Sequence, residues 1–338
     1  MSSTQAVTKS LAPETPVQRL STILKDDMRA VNEQIIKNMD SPVPMIPQLA
    51  SYLIASGGKR IRPLLTLACT SIYAGEMERS HILAASVEFI HSATLLHDDV
   101  VDESNMRRGQ ETANLIFGNQ ASVLVGDFLF SRAFQLMVSD GSLDVLRILS
   151  DASAIIAQGE VMQLAATGNI NTSMEDYITV IKAKTAALFA AACEVGPVIA
   201  KSEISDALAM AEYGLNLGIA FQIADDALDY TADQEKLGKD LGNDFREGKL
   251  TAPVILSLEK ASAEEKEFWL KTMTNQEQDK DDLNRAIEII TRHDGIDRSL
   301  ELARNYGQKA REALAEAPDH PLRAMLDELV TFTIERHG

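Results

Sequence analysis

Residues 79–102 read as one helix that is apolar around most of its circumference and ends in LLHDDVVD, with aspartates at 98, 99 and 102. A helix with no polar face to give to water belongs at the centre of a fold. A second apolar helix, residues 204–230, closes on QIADDALD, which repeats the spacing i, i+1, i+4 at Asp225, Asp226 and Asp229. The chain must therefore bury two helices and still find a use for the acidic ends of both.

Sustained period-two alternation is missing, and the long apolar segments carry Ala, Leu, Met and Ile at helical spacing, so the fold class is all-α. PVQRLSTILKDDMRAVNEQIIKNM is one amphipathic helix, DSPVPMIP interrupts with three prolines, and a further helix leads into SGGKRIRP. Other helices are expected at 62–73, 120–139, 142–167, 174–200 and 204–230, with the long loop TADQEKLGKDLGNDFREGKLT after them. Residues 261–285 read as a polar, solvated helix pair without a function. Residues 1–16 lack an apolar signal core and read as a disordered tail, leaving 17–338 as one domain. No run is long and charge-free enough to cross a bilayer, and Cys69 and Cys193 read as two structural thiols in a reducing cytoplasm. A net charge of −18 argues against nonspecific nucleic-acid binding, but says nothing against a small anion held by local cations.

On a helix, residues four apart lie about 40° apart, so Asp98 shares a face with Asp102 and Asp225 with Asp229. Like charges at that spacing cost a few tenths of a kcal/mol, and negative charge at a helix C-terminus opposes the dipole. A solvated helix end would explain one such cluster; two at the ends of two apolar helices point to a hard divalent cation, Mg²⁺, which takes oxygen ligands and is commonly shared with substrate phosphates. Cations stand nearby. Lys59, Arg60 and Arg62 follow a Gly57-Gly58 turn and flank a helix start at Pro63, and Arg107 and Arg108 follow the first cluster. Together they suggest two diphosphate sites, one held through Mg²⁺ and one held directly by cations. His91 lies seven residues before Asp98, on the same face to within about 20°. Such a histidine can be a satisfied core residue, but its alignment favours ligand binding.

These residues resemble the trans-type isoprenyl diphosphate synthases, in particular the long-chain polyprenyl members that make quinone side chains. GGKRIRP, LLHDDVVDESNMRRG, GEVMQL, KTA, FQIADDALD, GKD and EGKLTAP occur in the family's order over residues 57–253, and the paired DDxxD clusters are the specific part. The resemblance implies a single-domain helical bundle of the isoprenoid synthase fold with a central catalytic cavity, assembled as a homodimer. It implies isopentenyl diphosphate and an allylic diphosphate, farnesyl or geranylgeranyl, as substrates. Lys59, Arg62, His91 and Arg108 would hold the diphosphate of the former. Asp98, Asp102 and Asp225 would bind Mg²⁺ on the allylic diphosphate, with Asp99, Asp226 and Asp229 in supporting ligand or water-holding roles. Arg107, Lys184, Lys239 and Lys249 would neutralise the leaving group, while Gln163, Thr185 and Gln222 would lie near the reacting carbons. The glycine-rich loop at 238–250 would exclude water from the cation formed on ionisation.

Product length should follow from how far an apolar tail can run down the cavity. Ala93 and Thr94 occupy positions where short-chain members often carry an aromatic floor, so small residues there leave the tunnel open to roughly eight to ten isoprene units, with Phe89, Phe128 or Phe130 as a deeper floor. Gly214 and Gly218 align below Asp225 and fit either a tunnel wall or close helix packing. The rival readings are a farnesyl or geranylgeranyl diphosphate synthase, a terpene cyclase, and a noncatalytic synthase-like subunit. GGKRIRP and the second cluster count against a cyclase, and two intact clusters count against an inactive subunit.

Overall fold

A computed structural model describes residues 14–55, 58–107, 109–231 and 241–335. Two faces of one long helix organise it. That helix, α5 (Met77–Val101), buries Leu83, Val87, Phe89, Ile90, Ala93 and Leu96, and it packs on α4 (Ile61–Ile72), α2 (Lys25–Met39) and α7 (Asn119–Asp140). The second expected central helix is α11 (Ile204–Leu228), which lies against α10 (Ala187–Ile199) and α16 (Gly295–Leu314). Gly214 and Gly218 settle into close packing, because a Cβ at Gly214 would collide with the Phe189 carbonyl and one at Gly218 would lie 2.7 Å from Ala186 Cα. The packing reading of these glycines is therefore the correct one.

The remaining helices are α1 (Pro16–Ile23), α3 (Met45–Ala55), α6 (Ala113–Phe117), α8 (Leu143–Ala166), α9 (Met174–Ile181), α12 (Asn243–Arg246), α13 (Ala252–Leu258), α14 (Ala263–Trp269), α15 (Asp282–Arg292) and α17 (Pro321–Ile334). A two-residue-per-strand hairpin, Met106–Arg107 with Gln110–Glu111, is the sheet found among the described residues. Local chemistry sets several starts. Thr15 caps α1 in a reciprocal box with Gln18, with Pro16 in the first turn, and Ser173 does the same with Asp176 for α9. Thr15 and Pro16 thus belong to a helix start and not to the expected tail, whose residues 1–13 lie outside the described part.

Three other expectations need correction. The first amphipathic helix is broken at Leu24, whose φ of −92° and ψ of 22° redirect the backbone while keeping Leu20 and Leu24 buried. Residues 261–285 are not merely solvated, since Phe268, Trp269 and Met273 are buried there. The helix α7 is long and apolar enough to cross a membrane by length and composition, contrary to the reading from sequence; 44% of its apolar window is buried inside the protein.

Candidate active site

The ends of α5 and α11 open into one cavity of about 950 Å³, lined by Asp98, Asp102, Asp225, Asp226 and Asp229. In the first cluster Asp102 caps α5, its N–H donating to the Asp98 carbonyl at 2.8 Å, so Asp98 and Asp102 sit one turn apart on the cavity wall. Asp99 is turned inward and is 1% exposed. There Arg107, from the hairpin, donates to Asp99 Oδ1 from Nε at 2.9 Å and Nη2 at 2.6 Å. Asp99 therefore holds Arg107 at the cavity rim; it is absent from the wall itself, where the expected ligand or water-holding role would need it.

The second cluster is tied down in the same way. Asp226 is buried and accepts the Tyr177 hydroxyl at 2.6 Å and Gln222 Nε2 at 2.7 Å. Gln222 Oε1 in turn accepts from Thr185 Oγ1 at 2.8 Å, which completes a chain Tyr177–Asp226–Gln222–Thr185. Asp229 accepts backbone N–H groups of Asn243 at 3.3 Å and Asp244 at 3.0 Å, fixing the described part of the long loop against the end of α11.

Between α9 and α10 the chain opens into a π turn, Lys182–Ala186, with Lys184 and Thr185 on the cavity wall; such turns are frequent at functional sites, although a second one, Leu270–Thr274, lies off the cavity. The close approach of α8 to this turn requires Gly159, because a Cβ there would lie 2.6 Å from the Lys184 nitrogen. Lys184 Nζ lies 2.6 Å from Glu160 Oε2 and 3.7 Å from Asp98 Oδ2. Lys249 Nζ lies 2.6 Å from Glu247 and 2.8 Å from Asp102.

The second group of cations lines the same cavity. Arg62, in the first turn of α4, has Nη1 3.1 Å from His91 Nε2 and lays its guanidinium over the Phe189 ring at 4.5 Å. Lys59 lies over the Phe332 ring at 5.3 Å. Arg60 is engaged with Glu88 at 2.7 Å and takes a left-handed backbone at φ 48°, just ahead of α4. Gln163 and Thr94 also line the cavity. Ala93 does not: it is fully buried in the packing around α5. Phe89, Phe128 and Phe130 are likewise absent from the wall, whose aromatic side chains are Tyr177, Phe189, Phe221 and Phe332. Arg108, Lys239 and Gly57 lie outside the described residues.

Electrostatics follow from packing so many acids into a half-dry space. Burial raises the Asp98 carboxyl, with Lys184 opposing and Asp102 reinforcing the shift. Burial and Asp98 push Glu160 up to about 7 against the pull of Lys184. Asp226 is raised to about 7 by burial despite its hydrogen bonds from Tyr177 and Gln222, and Asp244 is raised by burial and by Asp226. Burial alone would lower Lys249, but Asp102 and Glu247 outweigh it and the amine is held above its ordinary value. Glu160, Tyr177, Asp244 and Glu247 had no assigned part in the sequence reading. Glu160 stands one helical turn before Gln163 in GEVMQL, and Glu247 two residues before Lys249, so spacing was the available signal for both.

These residues suit a hard divalent ion. Every candidate donor is a carboxylate oxygen, and among the described residues no group of three or more His, Cys, Asp or Glu side chains is arranged to hold a metal ion unaided. An open, all-oxygen set on the cavity wall fits an ion that keeps water and completes its shell with phosphate oxygens.

Comparison with known proteins agrees with this chemistry. The family described as polyprenyl synthetase matches residues 43–290. The octaprenyl diphosphate synthase of Escherichia coli (strain K12) is 40% identical over 320 residues, covering 95% of this chain and 99% of that protein. A polyprenyl synthase from Caulobacter crescentus CB15, solved with calcium and isoprenyl diphosphate, superposes with a TM-score of 0.92 at 48% identity, covering 96% of this chain and 100% of that one. A decaprenyl diphosphate synthase from Rhodobacter capsulatus does so with a TM-score of 0.91 at 48% identity, over 95% and 99% of the two chains. Matched along nearly its whole length and carrying the two aspartate clusters into one cavity, the chain belongs to the polyprenyl synthetase family of prenyltransferases.

Proposed function

We propose that the protein condenses isopentenyl diphosphate units onto an allylic diphosphate, farnesyl or geranylgeranyl, and releases a long-chain all-trans polyprenyl diphosphate for quinone side chains. A product of eight to ten isoprene units is supported by the octaprenyl and decaprenyl synthases among its relatives. One observation carries the reaction class. Two acidic clusters and two sets of cations line a single cavity, as the transfer of a prenyl group between two diphosphates requires.

Asp98, Asp102 and Asp225 would hold Mg²⁺, which when bound supplies Lewis-acid stabilisation of charge on the departing diphosphate. Lys184, Lys249 and Arg107 line the same region and add fixed positive charge where that oxyanion develops. Lys59, Arg62 and His91 bind the isopentenyl diphosphate, the two cations stacked on Phe332 and Phe189. Thr185 and Gln222, held by Asp226 and Tyr177, present fixed dipoles beside the reacting carbons. Departure of diphosphate leaves an allylic cation, the double bond of isopentenyl diphosphate attacks it, and the proton then lost passes to the released diphosphate, while the phenyl rings of Phe189 and Phe221 keep water from the wall on which the cation forms.

The reading includes a homodimer. The helices α7 and α8 pack together and both expose apolar side chains, among them Leu124 (67%), Val138 (63%), Val161 (67%) and Leu164 (67%), a surface that a second copy would cover. It also places the enzyme in the cytoplasm, where α7 keeps its packing on α5.

The test is an assay of purified protein with Mg²⁺, labelled isopentenyl diphosphate and farnesyl diphosphate, with products sized after dephosphorylation. Products of eight to ten units support the reading. Products of only four or five units make it a short-chain synthase, and no Mg²⁺-dependent product defeats it.

A further inference from the structure

Each lysine at the first aspartate cluster has two carboxylate partners of different origin. Lys184 stands between Asp98 of the cluster and Glu160 of α8, and Lys249 between Asp102 of the cluster and Glu247 of the loop after α11. In both cases the glutamate is nearer, at 2.6 Å, while the aspartate contacts are 3.7 and 2.8 Å. The two arrangements share no residue and come from different elements, so the repetition is not a consequence of one local turn.

The aspartates have a second claim on them, because a divalent ion that binds Asp98 and Asp102 uses the oxygens that the ammonium groups approach. A lysine whose only anchor was the aspartate would be expelled on metal binding. Its flexible four-carbon stem would let the charge leave the cavity. An ammonium anchored only to the aspartate also competes with the metal. A glutamate as second partner answers both difficulties: it draws the ammonium off the aspartate and keeps it at the wall when the aspartate is taken. We propose that Glu160 and Glu247 are positioning residues that hold Lys184 and Lys249 ready for the substrate diphosphate while Asp98 and Asp102 turn to the metal. This rests on the reading of the cluster as a metal and diphosphate site.

The proposal makes a prediction opposite in sign to plain electrostatics. Glu160 and Glu247 bring negative charge to a cavity that takes an anion, so if they acted only as charges, neutralising either would tighten diphosphate binding. If they position the lysines, neutralisation weakens it, since Gln accepts the ammonium more feebly and leaves it to the aspartate.

The experiment is calorimetric titration of the purified full chain with inorganic diphosphate at fixed excess MgCl₂, pH 8, for wild type, Glu160→Gln, Glu247→Gln, Lys184→Ala and the double variant Glu160→Gln/Lys184→Ala. Thermal melts of each variant confirm folding. The positioning role predicts about tenfold weaker binding for each Gln variant, the worth of one charge-assisted hydrogen bond. It also predicts a reversal in the Lys184→Ala background, where Glu160→Gln has no lysine to mislay and can only tighten binding. Unchanged or tighter binding in the single Gln variants overturns the proposal. Absence of Mg²⁺-dependent diphosphate binding in the wild type would instead overturn the reading of the site on which it rests.

Discussion

Lys249 Nζ lies 2.8 Å from Asp102 Oδ2, which joins the loop that follows the second aspartate cluster to the end of the helix that carries the first. Residues far apart in sequence thereby close one wall of the cavity, and the amine remains charged because its two carboxylates outweigh the cost of its burial.

Replacement of this amine removes a bridge and, on the proposed function, a charge that faces the leaving diphosphate. Lys249→Ala leaves Asp102 and Glu247 without their shared cation, and the expected loss of metal-free stability is about 2 kcal/mol. The expected fall in kcat/KM for the allylic diphosphate is about 100-fold, as for other fixed groups that stabilise developing oxyanions. Chemical denaturation without Mg²⁺ and initial rates with it measure the two effects separately. A rate within twofold of wild type would make Lys249 a structural bridge only.

The chain from Tyr177 to Thr185 carries a second expectation. Tyr177→Phe deletes one of the two side-chain donors to buried Asp226, leaving Gln222 as the other. A buried acceptor that loses a donor costs about 1–3 kcal/mol. Asp226 is then held from one oxygen only, so Gln222 and the Thr185 hydroxyl bonded to it are aimed less firmly. Steady-state kinetics should show kcat reduced about tenfold with the KM for isopentenyl diphosphate little changed, because Arg62 and His91 are untouched. A raised KM with kcat intact would place the chain on the other substrate.

Tunnel length is tested at Thr94, which lines the cavity, and not at Ala93, which is buried in helix packing. Thr94→Phe puts an aromatic ring one turn below Asp98 and should shorten the product to farnesyl or geranylgeranyl length. Chromatography of dephosphorylated labelled products reads this directly. Unaltered chain length in an active Thr94→Phe enzyme would mean that the growing tail runs along another wall, past Phe189 and Phe221.

The helices and the acidic clusters were legible because both are local patterns: a helix announces itself in apolar spacing, and a repeated i, i+1, i+4 triplet stands out against a polar background. The parts that escaped are relations between elements. Ala93 and Thr94 are neighbours in sequence, and which of them meets the cavity depends on how α5 is rotated against α4 and α7. The π turn at Lys182–Ala186 is one inserted residue in a helical run, without a proline or glycine to mark it. The residue that leaves room for it sits on another helix, at Gly159. Glu160 and Glu247 had only their spacing to set them apart in a chain with 50 acids; the lysines they meet are what give them a part.

Glu160 finally gives the metal-free protein a pH dependence of definite sign. Its carboxyl is raised from 4.5 to about 7, chiefly by burial and then by Asp98, with Lys184 opposing. In the unfolded chain the group titrates near its ordinary value, so between roughly pH 4.5 and 7 the folded state binds the extra proton. The stabilising contribution is complete below the unfolded value and is lost as pH rises through the folded one. Above that range the protein carries an ionised, half-buried carboxylate at a constant penalty. Glu160→Gln removes the titration, so its melting temperature relative to wild type should climb as the buffer goes from pH 5 to pH 8, with both proteins in chelator. A gain in stability at pH 8 alongside weaker Mg²⁺-dependent diphosphate binding would show the group held at a cost to folding for the sake of the site. A difference in melting temperature that stays flat from pH 5 to pH 8 would mean that Glu160 titrates as an ordinary surface carboxylate.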